Sequence, residues 1–291
     1  MDRARRLRAI GLIMITVTLF GALDTAAKWL VTVGGLSVSQ TVYARYASNL
    51  LILLVFVNPW TSPGLFRGQR LGLQFVRALL LLGSTLMNFT AMLYLQLAEI
   101  VTIIFSVPFW TALLAGLFLG QWIGPRRWIA VLVGFVGVLI VARPGVAGAM
   151  HWAVVFSIGS AITYSSYNIL SRVLAQTDSL KSMVLMAALV PTLALSPFVL
   201  PGWTQPEGWL PWVLMAFMGL CATIGHSLLV VAHRDVPAQD LAPFVYVQLV
   251  SMTGFGYLVF GDVPGPWVIV GGLVIVLSGL WLLALERKGV A

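Results

Sequence analysis

The chain has 291 residues, 60% of them apolar and only 9% charged, and its mean hydropathy is +0.98. A water-soluble domain of this length carries far more charge, so the composition points to one integral membrane unit with no room for a sizeable soluble domain. The net charge of +8 is scattered between apolar segments, which speaks against a nucleic-acid partner and for topology signals.

About 20 apolar residues cross a hydrocarbon core as a helix. Punctuation by Gly, Pro and charge leaves apolar runs near 9–33, 37–57, 70–95, 98–120, 127–143, 149–173, 180–200, 208–233, 237–260 and 266–285, which predicts ten transmembrane helices. The basic start MDRARRLR resembles the n-region of a signal peptide. The run behind it is long enough to span and no small-residue cleavage pattern follows, so a retained first helix is expected. Trp60, Trp122, Trp152, Trp203 and Trp267 lie near the short connections, where indole rings favour the headgroup level. With both termini cytoplasmic, the termini and loops on that side take 13 of the 17 Lys and Arg. The opposite side keeps Arg143, and Lys28, Arg45 and Arg77 fall within spans.

In helix 1, LFGALDTAAKWLV sets Asp24 and Lys28 four positions apart on one helix face. An unpaired charge at the bilayer centre costs about 2.5–3.5 kcal/mol on insertion scales. Two readings follow: a mutual pair with Lys28 reaching for the outer interface, or one wall of a cavity. Arg45, in helix 2 at a similar depth, leaves two cations against one anion, which an anionic substrate group would complement. Glu99 opens helix 4, either as a cap on the helix dipole or as a titratable group that couples proton entry to transport. Gln239 and Asp240 hold the matching place in helix 9, and Pro108 and Pro243 interrupt helices 4 and 9. Further polar residues within spans either join helices or line a cavity: Ser84, Thr85 and Asn88 in helix 3; Tyr164, Tyr167 and Asn168 in helix 6; His226 in helix 8; Tyr246 and Gln248 in helix 9. Among them only His226 titrates near neutral pH. Helices 5 and 10, with GFVGVLIVA and GGLVIVLSGL, are poor in polar residues and rich in small ones, as peripheral packing helices would be. Cys221 stands alone as a packing residue, and no Cys/His cluster has metal-ligand spacing.

The two halves echo one another in order. Asp24 and Lys28 return as Asn168 and Arg172, LAEIVTIIF from Leu97 as PAQDLAPFV from Pro237, and LGQWIGPRRW from Leu119 as FGDVPGPW from Phe260, each about 140 residues later. Five crossings end on the far side of the membrane, so a duplicated five-helix unit is inverted in its second copy. The expected fold is an all-α membrane protein of ten transmembrane helices as two inverted five-helix repeats, 1–146 and 147–291, with the site between them near the midplane.

FGALDTAAKWL, YARYASNLL, LAEIVTIIFSVPFWTALLAGLFLGQWIGPRRW and GHSLLVVAHRDVPAQDLAPFVYVQLV together resemble the drug/metabolite transporter superfamily, EamA type, over nearly the whole chain. The resemblance implies two inverted repeats around a central cavity and no ATP-binding domain. Within that superfamily, DTAAKWL, LAEIVTI, GHSLLVVA and APFVYVQLV are most similar to a subgroup with importers of riboflavin and S-adenosylmethionine. It sets riboflavin slightly ahead, with amino acids and other amphiphilic metabolites close behind, and favours import over export.

The expected function is a secondary active transporter of the bacterial inner membrane, not an enzyme, that moves a small organic metabolite by alternating access. Asp24, Lys28, Arg45, Asn88, Tyr167, Asn168, His226, Tyr246 and Gln248 are the expected cavity or substrate residues, with Glu99 or Asp24 coupling protons. The partners are a small-molecule substrate and the lipid bilayer, with the chain a monomer or homodimer; no cofactor and no metal are expected. An intramembrane enzyme would need paired acids or a metal-binding His cluster, which the sequence does not offer. A channel built from rings of like residues in several subunits is the alternative of another class.

Overall fold

The computed structural model describes residues 3–56, 69–143, 152–235, 241 and 244–287, and every regular element among them is helical. In chain order these are α1 (Arg3–Thr32), α2 (Val38–Phe56), α3 (Leu71–Met92), α4 (Leu97–Ile104), α5 (Val107–Leu119), α6 (Pro125–Ala142), α7 (Val154–Leu174), α8 (Leu180–Val199) and α9 (Leu210–Asp235). After them come α10 (Val247–Phe255), which runs on as a π-turn over Gly256–Phe260, and α11 (Pro266–Arg287). Six segments are long and apolar enough to cross a membrane: Leu7–Thr32, Leu71–Met92, Leu97–Leu119, Pro125–Ala142, Lys181–Val199 and Leu210–Leu229. The helices α2 and α7 have the length, at 19 and 21 residues, but not the hydropathy. They carry Gln40, Arg45 and Asn49, and Tyr164, Tyr167 and Asn168, and the candidate site forms about Arg45, Tyr164 and Tyr167.

The expected interruption of helix 4 falls where its chemistry places it. Proline lacks an N–H and its ring clashes with the carbonyl four residues back, so it is favoured in a first turn and bends or breaks a helix elsewhere. Pro108 accordingly sits at the start of α5, and α4 stops at Ile104. Pro243, Gln239 and Asp240 lie outside the described residues.

Lipid tails are as apolar as leucine, so helices in a membrane associate through shape and hydrogen bonds rather than through the hydrophobic effect. The main contacts run between α1 and α9, between α3 and α7, and between α6 and α11, with α2 laid against α8 and α9. On the α3–α7 seam, Ser84 and Ser160 bond reciprocally: Ser84 Oγ donates to the Ser160 carbonyl at 3.1 Å and Ser160 Oγ to the Ser84 carbonyl at 2.9 Å. Ser48 Oγ reaches the Met215 carbonyl at 3.0 Å and Asn49 Nδ2 reaches Thr223 Oγ1 at 2.9 Å, which ties α2 to α9. Gln40 clamps Thr204 at both ends of its amide, at 2.7 and 3.1 Å. Each such bond contributes about 0.6 kcal/mol in a membrane bundle. The polar-poor pair α6 and α11 packs backbone to backbone: a Cβ on Gly271 would stand 2.5 Å from the Gly137 carbonyl oxygen and 2.5 Å from Val141 Cγ2. Ser278 Oγ donates across the same seam to the Ala130 carbonyl. Cys221 is buried, as a packing residue would be.

Candidate functional site

The site grows from Arg45, roughly 10 Å along α2 from its first residue at a rise of 1.5 Å per residue. Its guanidinium has five N–H donors, and one of them, on Nη1, is given to Thr85 Oγ1 at 3.3 Å. Thr85 is itself fixed, since its Oγ1 donates to the Leu81 carbonyl at 3.0 Å and lies 2.7 Å from Tyr46 Oη. The rings of Tyr46 and Phe89 flank the guanidinium with centroids 5.5 and 5.6 Å away, a stacking geometry that arginine favours. Arg45 is only half-buried, so its remaining donors reach open space. Asp24 of α1, Tyr164 of α7 and His226 of α9 each lie within reach of its charge. Five helices thus converge on one arginine. Asp24 is half-exposed and makes neither a hydrogen bond nor an ion pair among the described residues, where the one ion pair is Lys28–Asp262.

Aromatic rings complete the surroundings. Tyr164 and Tyr167 stack at 5.7 Å and 21°, and the Phe20 and His226 rings lie 5.0 Å apart. Tyr167 is positioned from below by Arg77, whose guanidinium lies 5.0 Å from its ring and whose Nη1 donates to Tyr167 Oη at 3.3 Å. Arg77 is 2% exposed and also donates to Ser171 Oγ at 3.1 Å and to the Met183 carbonyl, which locks α3, α7 and α8 together. One turn away, Gln74 Nε2 donates to Asp178 Oδ1 at 2.8 Å in the α7–α8 turn. Burial alone would raise the Asp178 carboxyl, but hydrogen bonds from Thr177, Gln74 and the backbone N–H groups of Gln69 and Arg70 outweigh it and hold the carboxyl below its usual 3.8.

Of the residues singled out in the sequence, Asp24, Arg45, Tyr167 and His226 belong to this group. Asn88 lies three residues from Thr85 on α3, with its Oδ1 buried and unpartnered, and Asn168 stands one turn beyond Tyr164 on α7. Lys28 does not pair with Asp24. Its Nζ forms an ion pair with Asp262 Oδ2 at 2.8 Å, donates to the Leu95 carbonyl at 3.2 Å and lies 4.7 Å over the Phe260 ring. The helix spacing allows the Asp24–Lys28 pair, but the turn before α11 brings a carboxylate to the end of α1, where the long lysine reaches it. The expected excess of positive charge therefore gives way to one cation and one anion, Arg45 and Asp24, that form no ion pair. Glu99 acts as a cap, its Oε2 accepting the Gln96 N–H at 2.8 Å. Tyr246 packs its ring 5.1 Å from Phe105, with its hydroxyl against Gly279, in a separate recess of about 140 Å3 between α5, α6, α10 and α11. Gln248 turns to Met252 of its own helix, with Nε2 3.9 Å from Sδ. A larger recess of about 260 Å3 between α1, α9 and α10 is almost wholly apolar, lined by Ala22, Trp29, Leu214 and Phe217 among others. Sequence reasoning passed over Asp262 and left Arg77 unassigned. The signal for Arg77 was there, because an arginine within a span always needs partners; Asp262 gave none beyond its place in the echo of GQWIGP by GDVPGP.

Among the described residues, no group of His, Cys, Asp and Glu could hold a metal ion. The arrangement presents two separated opposite charges and stacked aromatic faces. It suits reversible binding of a small amphiphile.

The EamA-like transporter family matches the chain twice, over residues 7–143 and 151–285. The chain is 26% identical over 277 residues to a riboflavin transporter of Vibrio cholerae, covering 94% of this chain and 93% of that one. It is 25% identical over 289 residues to an S-adenosylmethionine uptake transporter of Rickettsia felis, covering 98% and 95%. A pseudopaline exporter of Pseudomonas aeruginosa is 24% identical over 254 residues, covering 87% and 88%. A crystal structure of a protein 16% identical in sequence matches over 99% of both chains with a TM-score of 0.60, which supports the fold alone. With two family matches that together take in nearly the whole sequence, and six segments able to cross a bilayer, this multi-pass membrane protein belongs to the EamA-like transporter family.

Proposed function

We propose that the protein is a secondary active transporter of the bacterial cytoplasmic membrane, in which two inverted five-helix repeats, 1–146 and 147–291, alternate access to the Arg45 site. In this reading ten helices cross the bilayer, both termini are cytoplasmic, and the end of α1 that carries Lys28 faces outward. The double family match supports it. So does the packing: exchanging the halves turns the α1–α9 pair into the α7–α3 pair and α6–α11 into itself. The turns led by Gly120 and Gly261 also correspond, with φ of 67° and 70°.

The observation that carries the substrate reading is Arg45, which among the described residues gives one hydrogen bond, with Asp24, which there makes neither a hydrogen bond nor an ion pair, within reach of its charge. In a medium of low dielectric each charge demands a partner. A zwitterionic head group supplies both, its carboxylate to Arg45 and its ammonium to Asp24, while a flat ring lies against Tyr164 and Tyr167. S-adenosylmethionine is of this kind and moves ahead of riboflavin, which is uncharged. Riboflavin uptake is the second reading, favoured by the stacked tyrosines, which accept a ring without needing charge. Asp24 is the group proposed to couple protons, since Glu99 is engaged as a cap.

Purified protein in vesicles without ATP is the test. Labelled S-adenosylmethionine is expected to enter saturably, to show counterflow and to respond to an imposed pH gradient. Saturable entry of riboflavin alone would assign the second reading. A need for nucleotide hydrolysis, or flux that never saturates, would remove the carrier reading altogether.

A further inference from the structure

We propose that Lys28 and Asp262 form a latch that holds the outer face of the transporter closed, and that the inner face lacks its counterpart because Gln121 occupies the place of the acid. The proposal rests on the inverted-repeat reading above.

Lys28 stands one turn from the end of α1 and is only 7% exposed. Its ammonium joins three segments of chain that are far apart in sequence: α1 itself, the α3–α4 turn through the Leu95 carbonyl, and the approach to α11 through Asp262 and the ring of Phe260. Leu95 and Leu97 are buried beside it. Asp262 is held in place by its own backbone. Gly261, at a φ of 70° that favours glycine, reverses the chain just before it, and the Asp262 N–H donates to the Gly256 carbonyl at 3.1 Å. A buried ammonium without an anion is expensive, whereas one in water is not. The closed face is therefore stable while the pair is intact, and opening it to water releases both charges at little cost.

Inversion of the repeat gives this latch a definite image on the other side. Lys28 maps to Arg172, at the end of α7, and Asp262 maps to Gln121, because LGQWIGP and FGDVPGP correspond and both turn through a left-handed glycine. The cation is kept and the acid is replaced by an amide. Arg172 and Gln121 are both exposed, and no ion pair joins them. A latch on one face only biases the carrier towards the state closed outside and open to the cytoplasm.

Thiol accessibility tests this without any substrate. In a Cys221→Ser background, Tyr164→Cys places a single thiol in the Arg45 site, to be labelled by a membrane-impermeant maleimide from outside in intact cells or from inside in inverted vesicles. Asp262→Asn is expected to speed outside labelling about tenfold, the response to roughly 1.4 kcal/mol of lost bias. The charge exchange Lys28→Asp with Asp262→Lys is expected to return labelling towards the parent rate. Gln121→Glu, which alters only an exposed residue, is expected to slow labelling from inside and raise it from outside by supplying the missing acid. Unchanged outside labelling in a folded Asp262→Asn protein overturns the latch. If Asp262→Asn fails to fold, unchanged two-sided labelling in Gln121→Glu does so by itself. Loss of the latch with uptake intact leaves the transporter reading standing, and responsive labelling in a protein that carries no metabolite removes that reading and keeps the latch.

Discussion

Replacing Arg45 with glutamine is expected to lower transport kcat/KM about a hundredfold, since removing one partner of a buried charge pair costs roughly 2–5 kcal/mol. The protein is expected to stay folded. Arg45 gives one hydrogen bond to the bundle, and the Tyr46–Thr85 bond that fixes its surroundings does not depend on it. Arg45→Lys keeps the charge but loses the planar fork and the stacking on Tyr46 and Phe89, so an intermediate loss is expected. Asp24→Asn is expected to impair a zwitterionic substrate strongly and an uncharged one little. Initial rates in vesicles at matched protein content measure all three. If Arg45→Gln transports at the parent rate, the guanidinium does not hold the substrate.

A large effect on stability is expected at Gly271. A Cβ there would sit 2.5 Å from the Gly137 carbonyl oxygen and 2.5 Å from Val141 Cγ2, so α6 and α11 must part to admit even one methyl group. Overpacking of this kind costs about 1–3 kcal/mol, and a leucine would cost more. Its neighbour serves as the control, because a Cβ on Gly272 meets only Leu249 Cδ2, at 3.4 Å, the end of a flexible side chain. Thermal unfolding of Gly271→Ala in detergent is thus expected well below that of Gly272→Ala. Equal midpoints would show that the α6–α11 seam does not depend on backbone contact.

The all-helical fold was legible because hydropathy and glycine or proline punctuation act locally: apolar runs become helices, and Pro108 ends one helix and starts another. Arg45 and Asp24 were legible for a related reason, since a charge inside a span always needs an explanation. Partners were not. Lys28 finds Asp262 at 234 positions' distance while Asp24 is only four away, and no local rule ranks a loop carboxylate above a neighbour on the same helix face. Helix rotation was equally hidden. In water an amphipathic stripe shows which side faces the core, but in a bilayer both sides are apolar, so Tyr246 and Gln248 read much as Tyr167 and Asn168 did. Packing decides between them: Tyr246 turns into the small recess beside Phe105 and Gly279, and Tyr167 is held by Arg77 under the Arg45 group.

At the centre of the proposed mechanism is a substrate held between Arg45 and Asp24 in a site that opens to each side in turn. Labelling of the thiol from Tyr164→Cys, measured from both faces with and without a metabolite that the protein carries, tests this most directly. In a Tyr164→Cys protein that itself still carries the metabolite, the thiol is expected to react from either face and saturating metabolite to protect it from both. Labelling from one face only, or reaction from both faces that a transported metabolite leaves unchanged, would contradict the mechanism.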